Sequence, residues 1–256
     1  MLISNPPSSG VNHLLAALPP EDSARISPHL TLAPLRARQV LYKRDEPLKQ
    51  VFFPARSLCS LLLTMEDGAS AEIAVVGPEG VVGVEIALGL RSAACDAVVQ
   101  VAGEGYAFVM NADVFRREIA RQGMFGVLVQ NYARAFVGFV TQSVACNALH
   151  SVEARCCRWL LHAHDRLATS ELPLTHDLLS AMLGVRRPTV TLVLNDLTQA
   201  RMISTSRGML RIVDRRALEL RSCDCYRTVT DIFDRCLGGH SSLQASSKVV
   251  TGQPNL

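Results

Sequence analysis

The sequence predicts an α+β protein in three successive parts: an N-terminal roll of short strands, one long helix, and a C-terminal winged helix-turn-helix. Three observations carry this. Short β-rich or apolar runs alternate with turn residues as far as about Val109, a long proline-free apolar stretch follows, and Ser151 to Arg221 reads as three helices and a hairpin. With 256 residues, 48% apolar and 5% aromatic, the chain can bury the core of one large or two small domains, which excludes disorder over most of its length.

From Leu14 onward the reading is of strands and turns. Gln39–Tyr42, Val51–Phe53, Ser57–Thr64, Ala71–Val76 and Ala97–Val101 have strand length. Pro47, Pro54, Asp67-Gly68, Gly77-Pro78 and Gly103 separate them, because these residues supply turn dihedrals or lack a ladder amide. Many short strands at this spacing indicate a barrel or roll, placed here at residues 12–121.

Asn111-Ala-Asp113 is a capping start. From Met124 to Leu149, Phe125, Val129, Tyr132, Phe136 and Phe139 recur at steps of 4, 3, 4 and 3, the stripe of a helix about 39 Å long. Leu128, Val137 and Val140 widen that face. A helix of this length needs more cover than one roll offers. Residues 122–150 are therefore expected to pack on the roll on one side and on a second copy of the chain on the other, with the five stripe residues at the dimer interface.

Residues 151–222 form the third part. Thr175 is placed to cap a two-turn helix containing Asp177, Leu178, Leu179 and Met182, Gly184 supplies the left-handed residue that ends it, and Pro188 falls in the first turn of the next helix. That next helix sorts into a buried stripe (Val190, Val193, Leu194, Leu197) and an opposite face (Arg187, Pro188, Thr191, Leu192, Asn195). Such a face suits the major groove. Arg187 can take guanine as a bidentate donor, Thr191 and Leu192 can meet thymine methyls, and Asn195 can reach a base or phosphate. Arg186, Thr175, His176, Thr189 and the hairpin tip at Arg207-Gly208 complete the expected DNA-binding set, the wing laying Arg207 along the backbone.

Charge agrees. Between Gly184 and Arg221 eight arginines face three acids, a local excess of five positive charges, while the whole chain is only +3. The positive field is thus concentrated on one module. Residues 223–256, rich in Ser, Gly, Gln and Pro after Gly238, read as a partly flexible tail.

The eight cysteines are scattered and no signal-peptide order opens the chain, so free thiols in a cytoplasmic protein are expected. Polar residues interrupt the most apolar stretches, which argues against a membrane partner. Cys156-Cys157, His162, His164, Cys223-x-Cys225 and Cys236 are metal-capable but lack paired Cys-x2-Cys spacing, so neither metal nor cofactor is expected, with Cys223 and Cys225 the best placed for a redox pair. A catalytic constellation is likewise not visible.

Leu174-Thr-His-Asp-Leu-Leu, Leu183-Gly-Val-Arg-Arg-Pro-Thr-Val, Arg207-Gly-Met-Leu-Arg-Ile-Val-Asp, Val51-Phe-Phe-Pro54 and Val76-Gly-Pro-Glu-Gly-Val-Val-Gly83 together resemble the Crp/Fnr transcriptional regulators, over about Asn12 to Leu220. The resemblance implies a jelly-roll-like effector domain of the cyclic-nucleotide-binding type, a dimerisation helix and a winged helix, acting on double-stranded DNA as a homodimer and blocking or recruiting RNA polymerase. It also marks Gly83, Glu85, Arg91 and Ser92 as the positions of an effector site, with a cyclic nucleotide, an unidentified small molecule and no ligand as the alternatives. Val84 splits the family's Gly-Glu pair, however, and Pro188 and Leu192 stand where the family's base readers carry Glu and a second Arg. An altered operator is implied. The competing expectation is a sensor or scaffold that uses the roll without DNA.

Overall fold

The computed structural model describes residues 11–102 and 105–238. Two short helices, α1 (His13–Ala16) and α2 (Pro20–Ile26), precede the roll, where strands and turns are expected from Leu14. Pro20 opens α2 and Glu21 and Asp22 occupy its first turn, which is the composition of a helix start. Buried Asn12 caps α1 and donates from Nδ2 to Pro54 O (2.9 Å) and Gly80 O (2.7 Å), fixing the N-terminal segment to the roll.

The roll comprises β1 (Thr31–Pro34), β2 (Val40–Tyr42), β3 (Gln50–Pro54), β4 (Ser57–Thr64), β5 (Ser70–Val76), β6 (Asp96–Ala102) and β7 (Tyr106–Asn111). Antiparallel pairing gives two sheets, in the orders β1-β7-β3 and β2-β6-β4-β5. Five of these strands match the expected segments. The largely exposed β1 carries Pro34 and shows no alternation, so nothing in its sequence marks it.

Asn111 caps α3 (Ala112–Ala120), its Oδ1 accepting from Asp113 N at 2.8 Å and Val114 N at 3.3 Å. Next come α4 (Met124–Leu149), with the expected bounds, and α5 (Val152–Leu167). Phe125, Val129, Tyr132, Phe136 and Phe139 are all buried within the single chain. Phe125 packs on Phe53 and Phe115, and Tyr132 runs over Gly80. These five residues are buried inside the chain, with Phe125 and Tyr132 against the roll and Phe139 against His162 and Phe233, and are not available to a partner, which corrects the expected dimer interface. A Cβ at Gly80 would collide with the Tyr132 ring and hydroxyl. Gly80→Ala should therefore displace that ring and lower stability by about 1–3 kcal/mol, read as a shift of the urea midpoint.

A short strand β8 (Glu171–Leu172) follows, then α6 (His176–Leu183), α7 (Arg187–Gln199), β9 (Ile203–Ser206), β10 (Met209–Ile212), α8 (Arg215–Arg221) and α9 (Cys225–Leu237). The last of these corrects the expected tail. Cys225, Val229, Phe233 and Leu237 recur every four residues and are buried, so 225–237 is an amphipathic helix with its apolar side inward. Phe233 reaches Tyr132 and Phe139 of α4, and Ile232 closes on Gly138. The remainder of the expected tail, 239–256, lies outside the described residues.

Roll and C-terminal module share one core. Arg166, in the last turn of α5, donates from Nε to Glu79 Oε1 at 2.7 Å with both side chains essentially inaccessible, and Trp159 Nε1 donates to Glu72 Oε1 at 2.8 Å.

Candidate nucleic-acid interface

The helix-turn-helix forms for the reasons its residues dictate. Thr175 Oγ1 accepts from Leu178 N at 3.2 Å, capping α6. Gly184 sits at φ 62°, ψ 38°, a left-handed position that costs a glycine nothing, and its amide and that of Val185 close onto Ala181 and Ser180 carbonyls. Arg186 is extended, and Pro188 follows in the first turn of α7. Val190, Leu194 and Leu197 are buried and Val193 is half-buried, whereas Arg186, Arg187, Pro188, Leu192 and Asn195 are exposed; Thr189 and Thr191 are half-exposed. An apolar side chain 66% exposed at Leu192 on a helix otherwise sorted by face has no cover among the described residues.

Two contacts shape this face. Arg187 Nε lies 3.1 Å from Asp177 Oδ1 across the helix pair, with both groups largely in solvent. His176 Nδ1 meets Thr191 Oγ1 at 2.9 Å, and that hydroxyl donates to Arg187 O at 3.1 Å. His176 is thus a positioning group for Thr191 in the free protein.

The wing completes the surface. Met209 pairs with Ser206 and Ile212 with Ile203, Arg207 and Gly208 turn the hairpin with φ of 47° and 79°, and β8 adds a third strand beside β10. Positive φ at both turn positions is what a two-residue hairpin needs. A groove lined by Thr175, His176, Asp177, Arg187, Ser206 and Arg207 joins the start of α6, the start of α7 and the wing. Two of the eight arginines do not contribute to this surface. Half-buried Arg215 binds Asp165 and Tyr226 at 2.7 Å, and Arg221 pairs with Glu153 at 2.6 Å.

Of the four positions of the expected effector site, Gly83 and Glu85 are buried and Arg91 and Ser92 are exposed. Gly83, at φ 99°, packs against Val51 and opens a short 3-10 helix, Val84–Ile86. Glu85 is buried, accepts from the Tyr42 hydroxyl at 3.2 Å and lies 3.8 Å from Cys95 Sγ; burial raises its pKa. Arg91 and Ser92 are exposed beyond that helix. The Glu85 carboxylate thus lies among buried groups of the roll.

Roll, long helix and winged helix-turn-helix follow one another along the chain in this order. Residues 154–221 match the model of the Crp-like helix-turn-helix domain. A CRP-family transcriptional regulator from Thermus thermophilus has a similar structure (TM-score 0.63, 19% identity, covering 74% of this chain and 96% of that one). So do a Crp/Fnr-family regulator from Eubacterium rectale (0.63, 15%, 81% and 96%) and FixK2 from Bradyrhizobium japonicum (0.61, 17%, 76% and 98%). A search of curated proteins finds no match. The chain carries a Crp-like helix-turn-helix domain and has the fold of Crp/Fnr-family transcriptional regulators. Among the described residues no helix is long and apolar enough to cross a membrane.

Proposed function

We propose that the protein is a cytoplasmic, sequence-specific transcription regulator that binds a two-half-site operator as a homodimer, inserting Pro188–Leu197 of α7 into successive major grooves. The observation that carries this reading is the outward face of α7: a cation, an apolar side chain and a polar one on one line beside a basic wing. Arg187 reads guanine, Leu192 and Thr191 contact thymine methyls, Asn195 reads the adjoining pair, and Arg186, Thr189 and Arg207 hold phosphates. With a single arginine on the reading face, part of the selectivity comes from DNA shape. Bound DNA then blocks or recruits RNA polymerase.

The dimer uses a different stripe of α4 from the one expected. Val127, Arg134, Val137, Thr141 and Val144 are exposed and follow one another at steps of 7, 3, 4 and 3, the spacing of a coiled-coil seam. Val137→Glu with Val144→Glu places like charges in that seam. Sedimentation should show the double variant as a monomer, and DNA recovered from sheared genomic fragments by the native chain should share an inverted repeat with half-sites about 34–36 Å apart. A native monomer, or fragments without a repeat, would contradict the reading.

A further inference from the structure

Four donors converge where the end of α4 meets the start of α9. Cys146 and His150 are four residues apart, one above the other on the last turn of α4, and Cys223 and Cys225 flank Asp224 at the start of α9. The three Sγ atoms and a ring nitrogen of His150 all lie within 4.8 Å of one another. Cys146 Sγ is 3.5 Å from Cys223 Sγ, and Cys225 Sγ is 3.5 Å from His150 Nδ1. Around a tetrahedral ion with sulfur at about 2.3 Å and nitrogen at about 2.0–2.1 Å, neighbouring donors stand about 3.8 Å (S to S) and about 3.6 Å (S to N) apart. Two edges are already close to those lengths and none exceeds 4.8 Å, so the donors stand too close together to wrap the larger body of an iron–sulfur cluster.

The surroundings suit such a centre. His150 Nε2 lies 3.5 Å from Asp224 Oδ1, so a carboxylate orients the ring and leaves Nδ1 to the thiols; Gln142 Nε2 donates to Cys225 Sγ at 3.0 Å. Arg155 and Arg158 are buried close by, each with an Nε lacking a partner among the described residues. Three thiolates and a divalent ion carry one excess negative charge, and these guanidiniums offset it.

We propose that Cys146, His150, Cys223 and Cys225 form a closed tetrahedral zinc(II) site that pins the end of α4 to the start of α9. Binding deprotonates the three thiols, releases three protons and changes no oxidation state. A Cys146–Cys223 disulfide would engage only two of the four donors. The expectation of incidental thiols rests on the missing Cys-x2-Cys spacing; here a helical i, i+4 pair and a Cys-x-Cys pair do the same work from two distant segments. Ser151, the cap of α5, follows His150 directly, so the ion sits at the joint between the long helix and the helix-turn-helix module.

The test is elemental analysis of the full chain, purified without chelator from medium holding both zinc and iron. About one zinc per chain is expected, falling more than tenfold in Cys146→Ser and in Cys225→Ser but unchanged in Cys236→Ser, whose thiol lies outside the cluster. Cobalt(II) added to chelator-stripped native chain should give the visible bands of a tetrahedral thiolate centre, a readout that needs no variant to fold. Chelation should lower the Tm by about 5 °C or more. Zinc-free protein that develops no cobalt bands, iron with acid-labile sulfide, a Cys146–Cys223 disulfide in freshly purified chain, or zinc retained in both serine variants would each overturn the proposal. None of these readouts involves DNA, so failure here leaves the operator-binding reading standing.

Discussion

Arg166→Ala is expected to lower the unfolding free energy by about 3–5 kcal/mol, because it leaves Glu79 charged and buried without its partner. Glu79 lies in the Gly77-Pro-Glu-Gly turn after β5 and Arg166 at the end of α5; their side chains are 1% and 0% exposed. Besides the 2.7 Å bond between them, Glu79 Oε1 accepts from Gly77 N at 3.2 Å, Arg166 Nη1 donates to His162 O at 3.3 Å, and the guanidinium stands 5.9 Å from the rings of Phe139 and Phe233. One ion pair thus ties the roll, α4, α5 and α9 together. Glu79 Oε2 and Arg166 Nη2 have no hydrogen-bond partner among the described residues, so the pair is incompletely satisfied. Replacing both groups by uncharged side chains of similar size should accordingly cost much less than removing one. Urea unfolding of Arg166→Ala, Glu79→Gln and the double variant Glu79→Gln, Arg166→Met measures this; a double-variant loss equal to the sum of the two single losses would show that the charges are not coupled.

Arg187→Ala is expected to weaken operator binding by about 1–3 kcal/mol, or roughly 5- to 150-fold, and to relax selection at one base pair of each half-site. The free protein holds Arg187 against Asp177, but an exposed pair of this kind is worth about 1 kcal/mol at most, so DNA can displace it. Asp177→Ala should act in the opposite direction. It releases Arg187 and removes a negative charge from the groove beside the wing, so affinity rises by a few fold with the preferred sequence unchanged. Both effects are read in competition binding against duplexes varied one base pair at a time.

Much of this surface was legible because its determinants are local. Thr175, Gly184 and Pro188 each fix a cap or turn through their own chemistry, and the opposing faces of α7 follow from helical period alone. The same period misled on α4. A stripe buried within the chain and one buried against a partner look identical in sequence, and the more apolar stripe of α4, Phe125 to Phe139, is buried within the chain. The exposed stripe proposed for the partner, from Val127 to Val144, is interrupted by Arg134 and Thr141. Long-range partnerships were not legible at all. Glu79 and Arg166, Glu85 and Tyr42, and Cys146 and Cys223 meet only because the two sheets and α9 close on the long helix. In α9 the four-residue step from Cys225 to Leu237 was present, but the polar stretch after it set the composition of the whole C-terminal segment.

Sequence reading by α7 through Arg187 can be tested outright. Its most direct test is anisotropy titration of a recovered operator and of a scrambled duplex, with native protein and Arg187→Ala, over a range of salt. Native affinity is expected to fall steeply and linearly with log salt on both duplexes, since phosphate contacts from Arg186 and Arg207 serve each. Arg187→Ala should lose affinity for the operator at every salt while scarcely changing on the scrambled duplex. Native protein that binds both duplexes alike, or a variant that binds the operator as tightly as the native chain, would contradict it.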